Sequence, residues 1–332
     1  MTREQAGDTA KLRIVVTGGA GFIGSHLCRR LLAEGHQVIA VDSLITGSRD
    51  NLAELLDNPR FTLVERDVVR GFADAIKRPI DRVYNLACPA SPPHYQRDPV
   101  HTTLTNVLGT LSCLRLCERW GARCLLASTS EVYGDPDMHP QREDYRGNVS
   151  SIGPRSCYDE GKRCAESLVM DYRRTRGASV RIARIFNTYG PHMAVDDGRV
   201  ISNFIVQALR GEALTIYGDG SQTRSLCYVD DMVEGLIGLM ERSPVPGPLN
   251  LGNPEELSVL AIAERVIAAV GRGRIVRRPL PEDDPRRRRP DISAAQRAFG
   301  FAPQVRFDAG LTATIDYFER KLKAADSLLS TG

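Results

Sequence analysis

The sequence predicts an α/β protein built on a doubly wound parallel sheet, with a smaller C-terminal α/β lobe. Three observations carry that reading. Short β-branched runs alternate with helical patterns through the first 187 residues. The first run leads straight into the turn Gly18-Gly19-Ala20-Gly21-Phe22-Ile23-Gly24 and then into a helical stretch. The second run ends in an acidic residue, Asp42, 18 positions after Gly24.

Composition narrows the class further. The 332 residues carry 44 basic and 41 acidic side chains for a net charge of +3, too even a balance for a nucleic-acid or membrane partner. Residues 1–11 contain no apolar leader, and no later run is long enough to span a bilayer, so the expected location is the cytoplasm. The eight cysteines show no paired zinc spacing and read as free, reduced thiols, with no metal expected.

Each element is set by the pattern in turn. A strand is expected over 12–17 and a helix over 25–34. Between them, Gly18 supplies the tight turn, Gly21 lets a pyrophosphate approach the backbone, and Gly24 lets helix and strand pack closely. The helix N-terminus then faces the phosphates, as in a Rossmann-type dinucleotide-binding unit. Residues 36–41 form the second strand, and Asp42 is placed to bind the ribose hydroxyls of NAD and to repel the extra phosphate of NADP. Strands over 61–65 and 82–86 come next. The proline-rich loop Ala87-Cys88-Pro89-Ala90-Ser91-Pro92-Pro93 continues neither strand nor helix, so the chain leaves the sheet at its ligand-binding carboxyl edge.

A long amphipathic helix is expected over 99–120, with Leu104, Val107, Leu108, Leu111 and Leu114 as its buried stripe. The fifth strand, 123–127, runs into Ser128-Thr129-Ser130-Glu131, and a sixth covers 179–186. Beyond it, helices over 200–210, 231–242, 259–271, 293–299 and 311–321 alternate with strands over 214–217, 224–229, 248–251 and 275–277. The expected division is residues 1–187 as the NAD-binding domain, with later strand and helix contributions, and 188–325 as the substrate lobe.

Tyr158 and Lys162 stand four positions apart on a helical stretch and so share a face. An ammonium beside a phenol favours the phenolate, and such a tyrosine takes the proton from an alcohol whose hydride passes to a nicotinamide. The hydroxyl cluster at the end of the fifth strand puts Thr129 or Ser130 near that tyrosine. The set resembles the Ser/Thr-Tyr-Lys triad of the extended short-chain dehydrogenase/reductase family, and the resemblance spans residues 16–317.

The resemblance places Gly18, Gly21, Phe22, Ile23, Gly24, Asp42, Ser43, Thr46, Gly47, Asp67, Val68, Leu86, Ala87, Cys88 and Thr105 around NAD, with Tyr158 and Lys162 at its reactive end. Gly218-Asp219-Gly220-Ser221-Gln222-Thr223-Arg224 points to the nucleotide-sugar branch, where Arg224 would contact the diphosphate. Tyr217 and Asn203 would hold the uracil and its neighbours. Pro89, Ser91, Asn187, Arg199 and Gln222 complete the implied substrate set.

Within that branch a C4 epimerase, a 4,6-dehydratase and a decarboxylase share the first oxidation. Dehydration uses an Asp after the threonine, and this chain has Ser130-Glu131 there. Cys88 to Tyr95, Ser128 to Pro136, Gly153 to Arg163, Ala183 to Pro191, Asp197 to Val200 and the stretch Asp283-Asp284-Pro285 to Ile292 are similar to the UDP-glucuronic acid decarboxylases. That resemblance implies decarboxylation of UDP-glucuronic acid to UDP-xylose, with NAD tightly bound and regenerated each turn. It implies that Arg288 reaches the site and acts with Glu131 in seating the carboxylate and protonating C5. The other arginines of the run, Arg286, Arg287 and Arg289, read as solvated. Leu104 and Cys88 depart from the family pattern, which generally has Lys and Ser there. Relatives imply a homodimer packed through the helices that contain Leu108 and Leu168. A regulator that binds NAD without catalysis would be expected to lose Tyr158, Lys162 or the hydroxyl cluster, and all are present.

Overall fold

A computed structural model describes residues 11–279 and 287–330. Six strands, β1 (Arg13–Thr17), β2 (Gln37–Asp42), β3 (Phe61–Glu65), β4 (Arg82–Asn85), β5 (Arg123–Thr129) and β6 (Val180–Ile185), form a parallel sheet in the order 6-5-4-1-2-3. Their pairings are all parallel and in register, as when Val15 faces Ile39 on one side and Val83 on the other. Their helical connections are α1 (Phe22–Ala33), the short α2 (Pro92–Tyr95) and α3 (Pro99–Leu104), then α4 (Thr110–Trp120) and α5 (Ser156–Arg176). The strand order reverses between β1 and β4, and the crevice for a ligand opens at that point.

The remaining elements are β7 (Thr188–Tyr189), α6 (Val200–Leu209), β8 (Ala213–Tyr217), β9 (Thr223–Ser225), β10 (Cys227–Tyr228), α7 (Val229–Glu241), β11 (Leu249–Leu251), β12 (Glu256–Ser258), α8 (Val259–Val270), β13 (Arg274–Arg278), β14 (Arg287–Arg288), α9 (Ser293–Phe299) and α10 (Phe307–Ser330). β11 pairs with β6 and becomes the seventh strand of the main sheet. One face of that sheet buries Leu27, Leu31, Met232, Leu236 and Phe301, contributed by α1, α7 and the segment after α9. The other buries Leu114, Cys117, Ala165 and Val169 of α4 and α5. A third core, centred on Phe204, Ile205, Ile262, Val266 and Phe318, holds α6, α8 and α10 around the pair β8–β13.

Two expectations need correction. The helix expected over 99–120 is broken by a π-helical turn, Thr105–Gly109. An i→i+5 turn takes up one extra residue and rotates α3 about the helix axis relative to α4. The inward face is polar and small along its length, with Thr102, Thr105, Asn106, Gly109 and Thr110 buried, while Leu104 and Leu108 on the opposite face are 39% and 37% exposed. The strand expected over 224–229 is two short ones, because β9 pairs with β12 and β14 whereas β10 pairs with β7. Arg286, Asp283, Asp284 and Pro285 lie outside the described residues, as do residues 1–10.

Candidate active site

A cleft of about 860 Å³ runs along the carboxyl edge of the sheet and beneath the lobe. All the residues singled out above for NAD, for the substrate and for chemistry line it. Arg155 and Tyr95 line it too, although the sequence patterns give neither a role.

At one end, the backbone is shaped by absent side chains. Gly18 adopts φ +71°, and a Cβ there would stand 2.8 Å from the Leu86 carbonyl. A Cβ on Gly24 would strike the carbonyl oxygen of Gly18, so only glycine lets α1 approach β1 this closely. Gly21 caps α1 without any side-chain acceptor, which leaves the first amides of the helix for a phosphate. The Asp42 carboxylate accepts from the amides of Ala20 (2.9 Å) and Leu44 (2.8 Å), which fixes it at the end of β2. Burial pushes its carboxyl above the usual range, and those amides draw it back. Asp67 bonds to the Val69 amide and, at 2.9 Å, to His101. This cradle fits a dinucleotide with free ribose hydroxyls, which is NAD.

In the middle of the cleft, α5 presents Tyr158 and Lys162, which are 6% and 4% exposed. The Lys162 ammonium donates to the Ala127 carbonyl at 2.8 Å and lies 5.8 Å from the centroid of the Tyr158 ring. The expected depression of the phenol is not what these protein groups produce. Burial pushes the Tyr158 phenol well above its ordinary value, and hydrogen bonding to Thr129 draws it back. The reason is that removing a phenolate from water costs more than a cation turned toward a carbonyl returns. Lys162 itself is lowered by burial. Of the two hydroxyls left open above, Thr129 is the one that acts on the Tyr158 phenol. Cys88 sits nearby, its thiol pushed up to about 11 by burial.

Glu131 lies just past β5, in the 3-10 turn Ser130–Tyr133, and is held by two arginines. Arg288 donates to it at 2.7 Å, and Arg155 pairs with it from the start of α5. Arg288 is 6% exposed, and burial lowers its guanidinium to about 10. The position of Arg288 is set by its neighbours: it pairs in register with Arg224 across β14 and β9. Gln141 brackets the next residue, accepting from the Arg289 amide (2.8 Å) and donating its own amide to the Arg289 carbonyl (2.9 Å). The Arg289 backbone is thus held, while its side chain is 42% exposed and approaches Glu256 at 3.8 Å. A buried network braces the same turn from below. Ser128 donates to Glu166 (2.6 Å), Glu166 pairs with Arg184 (2.8 Å), and Tyr133 bonds to both Arg184 and Asn250.

At the far end, Arg199 is held by both oxygens of Asp197 (2.6 and 2.8 Å). Asn203 donates to the Gly198 carbonyl and Gln222 to that of Tyr217, whose ring is 43% exposed at the rim. Arg224 donates to the Thr223 carbonyl at 2.9 Å. Leu104 does not line the cleft, so its departure from the family pattern falls on the outer face of α3.

A reversing parallel sheet, a dinucleotide cradle and a tyrosine-lysine helix sharing one cleft with arginines from the lobe define an NAD-dependent enzyme acting on nucleotide sugars. The chain belongs to the NAD dependent epimerase/dehydratase family, whose sequence model matches residues 14–252. It is 53% identical over 317 residues to UDP-glucuronic acid decarboxylase 1 of Arabidopsis thaliana, covering 95% of this chain and 72% of that protein. It is 52% identical over 312 residues to UDP-glucuronic acid decarboxylase 1 of Danio rerio, covering 94% and 73%. Among solved structures it is similar to UDP-glucuronic acid 4-epimerase from Bacillus cereus in complex with UDP-glucuronic acid and NAD, with a TM-score of 0.83 and 29% identity over 93% of this chain and 100% of that one.

Proposed function

We propose that this chain decarboxylates UDP-glucuronic acid to UDP-xylose through a 4-keto intermediate. The observation that carries the choice within the family is Ser130 at the end of β5, where dehydration needs an aspartic acid, beside the ion pair of Glu131 with the buried Arg288. NAD, when bound, supplies the hydride acceptor at C4 and returns the hydride at the end, so it is regenerated each turn and stays bound. Tyr158 takes the proton of the C4 hydroxyl; in the loaded site the positive nicotinamide, together with Thr129 and the Lys162 charge, would offset the burial that raises its phenol. The resulting 4-keto uronate is a β-keto acid, so it loses carbon dioxide without a leaving-group acid. Arg288 seats the carboxylate until it leaves as carbon dioxide, Glu131 relays a proton taken up from solvent to C5, directly or through a water, and Tyr158 returns its proton to the C4 oxygen. Arg224 and Arg199 neutralise the diphosphate, with Tyr217, Asn203 and Gln222 toward the base.

Incubation with UDP-glucuronic acid while following product mass tests this reading. Loss of carbon dioxide is expected; loss of water, or an unchanged mass, overturns it. Glu131→Gln and Arg288→Ala should each abolish most turnover, and wild-type rates in either would remove the roles given to this pair.

We further infer a homodimer packed through the helices that carry Leu108 and Leu168. Exposed Val100, Leu104 and Leu108 leave apolar surface on that side, and sedimentation of the purified chain checks it. Among the described residues no helix is long and apolar enough to cross a membrane. The eight free cysteines suit a reducing compartment such as the cytoplasm.

A further inference from the structure

The Glu131 carboxylate is held by two guanidinium groups, one from each side of the cleft. Arg288 comes from the lobe strand β14, and Arg155 comes from the residue preceding α5, three positions before Tyr158. Around this cluster are more buried donors than the protein uses. Among the described residues, Arg288 Nε and the Tyr95 hydroxyl are buried with no hydrogen-bond partner. Both belong to side chains that line the cleft. Buried donors without acceptors beside paired guanidiniums are the mark of a place that takes an anion.

We propose that Arg155 is a second seat for the substrate's carboxylate, exchanging Glu131 for the uronate as the sugar binds. The proposal rests on the functional reading above and deepens it, because it names what distinguishes a uronate from a neutral hexose. A uronate carboxylate and the Glu131 carboxylate are the same chemical group, so the exchange keeps both guanidiniums paired with an anion. Their desolvation is already met by the fold, and the ligand meets a preorganised fork. A hydroxymethyl group at C6 carries no charge and cannot replace Glu131 on two arginines. The exchange also frees Glu131 from both cations beside C5. Arg155 has a further route to the chemistry, since its carbonyl accepts the Tyr158 amide at 3.0 Å.

The competing account is that Arg155 only steadies the start of α5, through Asp159 four residues on, at 3.9 Å. Affinities of the NAD-loaded chain for UDP-glucuronic acid, UDP-glucose and UDP, measured by calorimetry for wild type, Arg155→Gln and Arg155→Lys, separate the two. Arg155→Gln should weaken UDP-glucuronic acid by roughly 10- to 100-fold, the worth of a charge-assisted bond, while UDP-glucose and UDP bind as before. Arg155→Lys should keep part of the preference. The proposal is overturned if all three ligands weaken together in Arg155→Lys, or if the preference for the uronate survives in Arg155→Gln. Binding of UDP shows that the cleft is folded, and where Arg155→Gln binds no UDP the Lys variant decides. Decarboxylation by the wild-type chain is scored separately, so a failure of that reaction is not confused with a failure of the seat.

Discussion

The ring of Tyr95 lies flat against that of Tyr158, the planes 4° and the centroids 5.0 Å apart. Tyr95 is fully buried, so it forms one wall of the slot that holds the tyrosine given the proton transfer. Tyr95→Ala should lose about 3–5 kcal/mol of stability in urea unfolding, the range for deleting a large buried ring. Tyr95→Phe should match or exceed wild type, because it removes a buried hydroxyl that has no partner among the described residues. A Phe variant as unstable as the Ala variant would show that the hydroxyl, not the stacked ring, holds the slot.

Tyr158→Phe keeps the ring and its stacking but removes the hydroxyl proposed to exchange a proton with C4. Its kcat should fall by about 10²–10⁴, the usual worth of a positioned acid-base group, with NAD still co-purifying. Stopped-flow absorbance on mixing with UDP-glucuronic acid should show no transient reduced nicotinamide. A transient of wild-type size would assign the proton transfer elsewhere.

Asp159 lies beside Arg155, 7% exposed, and burial raises its carboxyl to about 6. A carboxyl raised in the folded chain binds its proton more tightly there than in the unfolded one. Stability from this group is thus highest below about pH 4 and is lost as pH rises through about 6, by about 3 kcal/mol in all. Asp159→Asn should remove that slope. Denaturant midpoints of both proteins between pH 4 and 7.5 measure it, and parallel curves would mean that the Asp159 carboxyl is not perturbed.

Arg184 and Glu166 form a largely buried pair, 12% and 13% exposed, joined by two bonds of 2.9 and 2.8 Å. Removing one partner leaves an uncompensated charge, so Glu166→Gln should cost about 3–5 kcal/mol. Urea unfolding reads this directly. Replacing both partners by apolar residues should cost less than either single change, and the opposite order would contradict the account.

Much of this site is local in sequence. The turn from Gly18 to Gly24, the end of β2 at Asp42 and the spacing of Tyr158 and Lys162 are each settled by neighbours within a few residues. β3 falls on residues 61–65 as the β-branched pattern expects. Leu104 and Leu108 face outward because the buried stripe of this stretch is made of small and polar residues, Thr102, Thr105, Asn106, Gly109 and Thr110, so the apolar periodicity marks the opposite face. Arg155 escapes notice for a different reason. Its partner Glu131 is 24 residues earlier and Arg288 lies 133 residues later, so the matching stretch from Gly153 to Arg163 contains it without giving it a role. Spacing brings Lys162 near Tyr158 but carries no measure of how deeply both are buried.

The return of the chain to the main sheet has a consequence for how this molecule can be altered. After building β7 to β10 in the lobe, the chain comes back as α7 against α1 and as β11 on the open edge of β6, then leaves again for α8. No single cut separates a cofactor half from a sugar half. A fragment ending at residue 187 would expose the backbone edge of β6 and the apolar surface that Met232 and Leu236 cover. Swapping sugar specificity by exchanging the C-terminal portion as a block would therefore strip the sheet of its last strand. Specificity in this architecture is open to change loop by loop, at the ends of strands already in place.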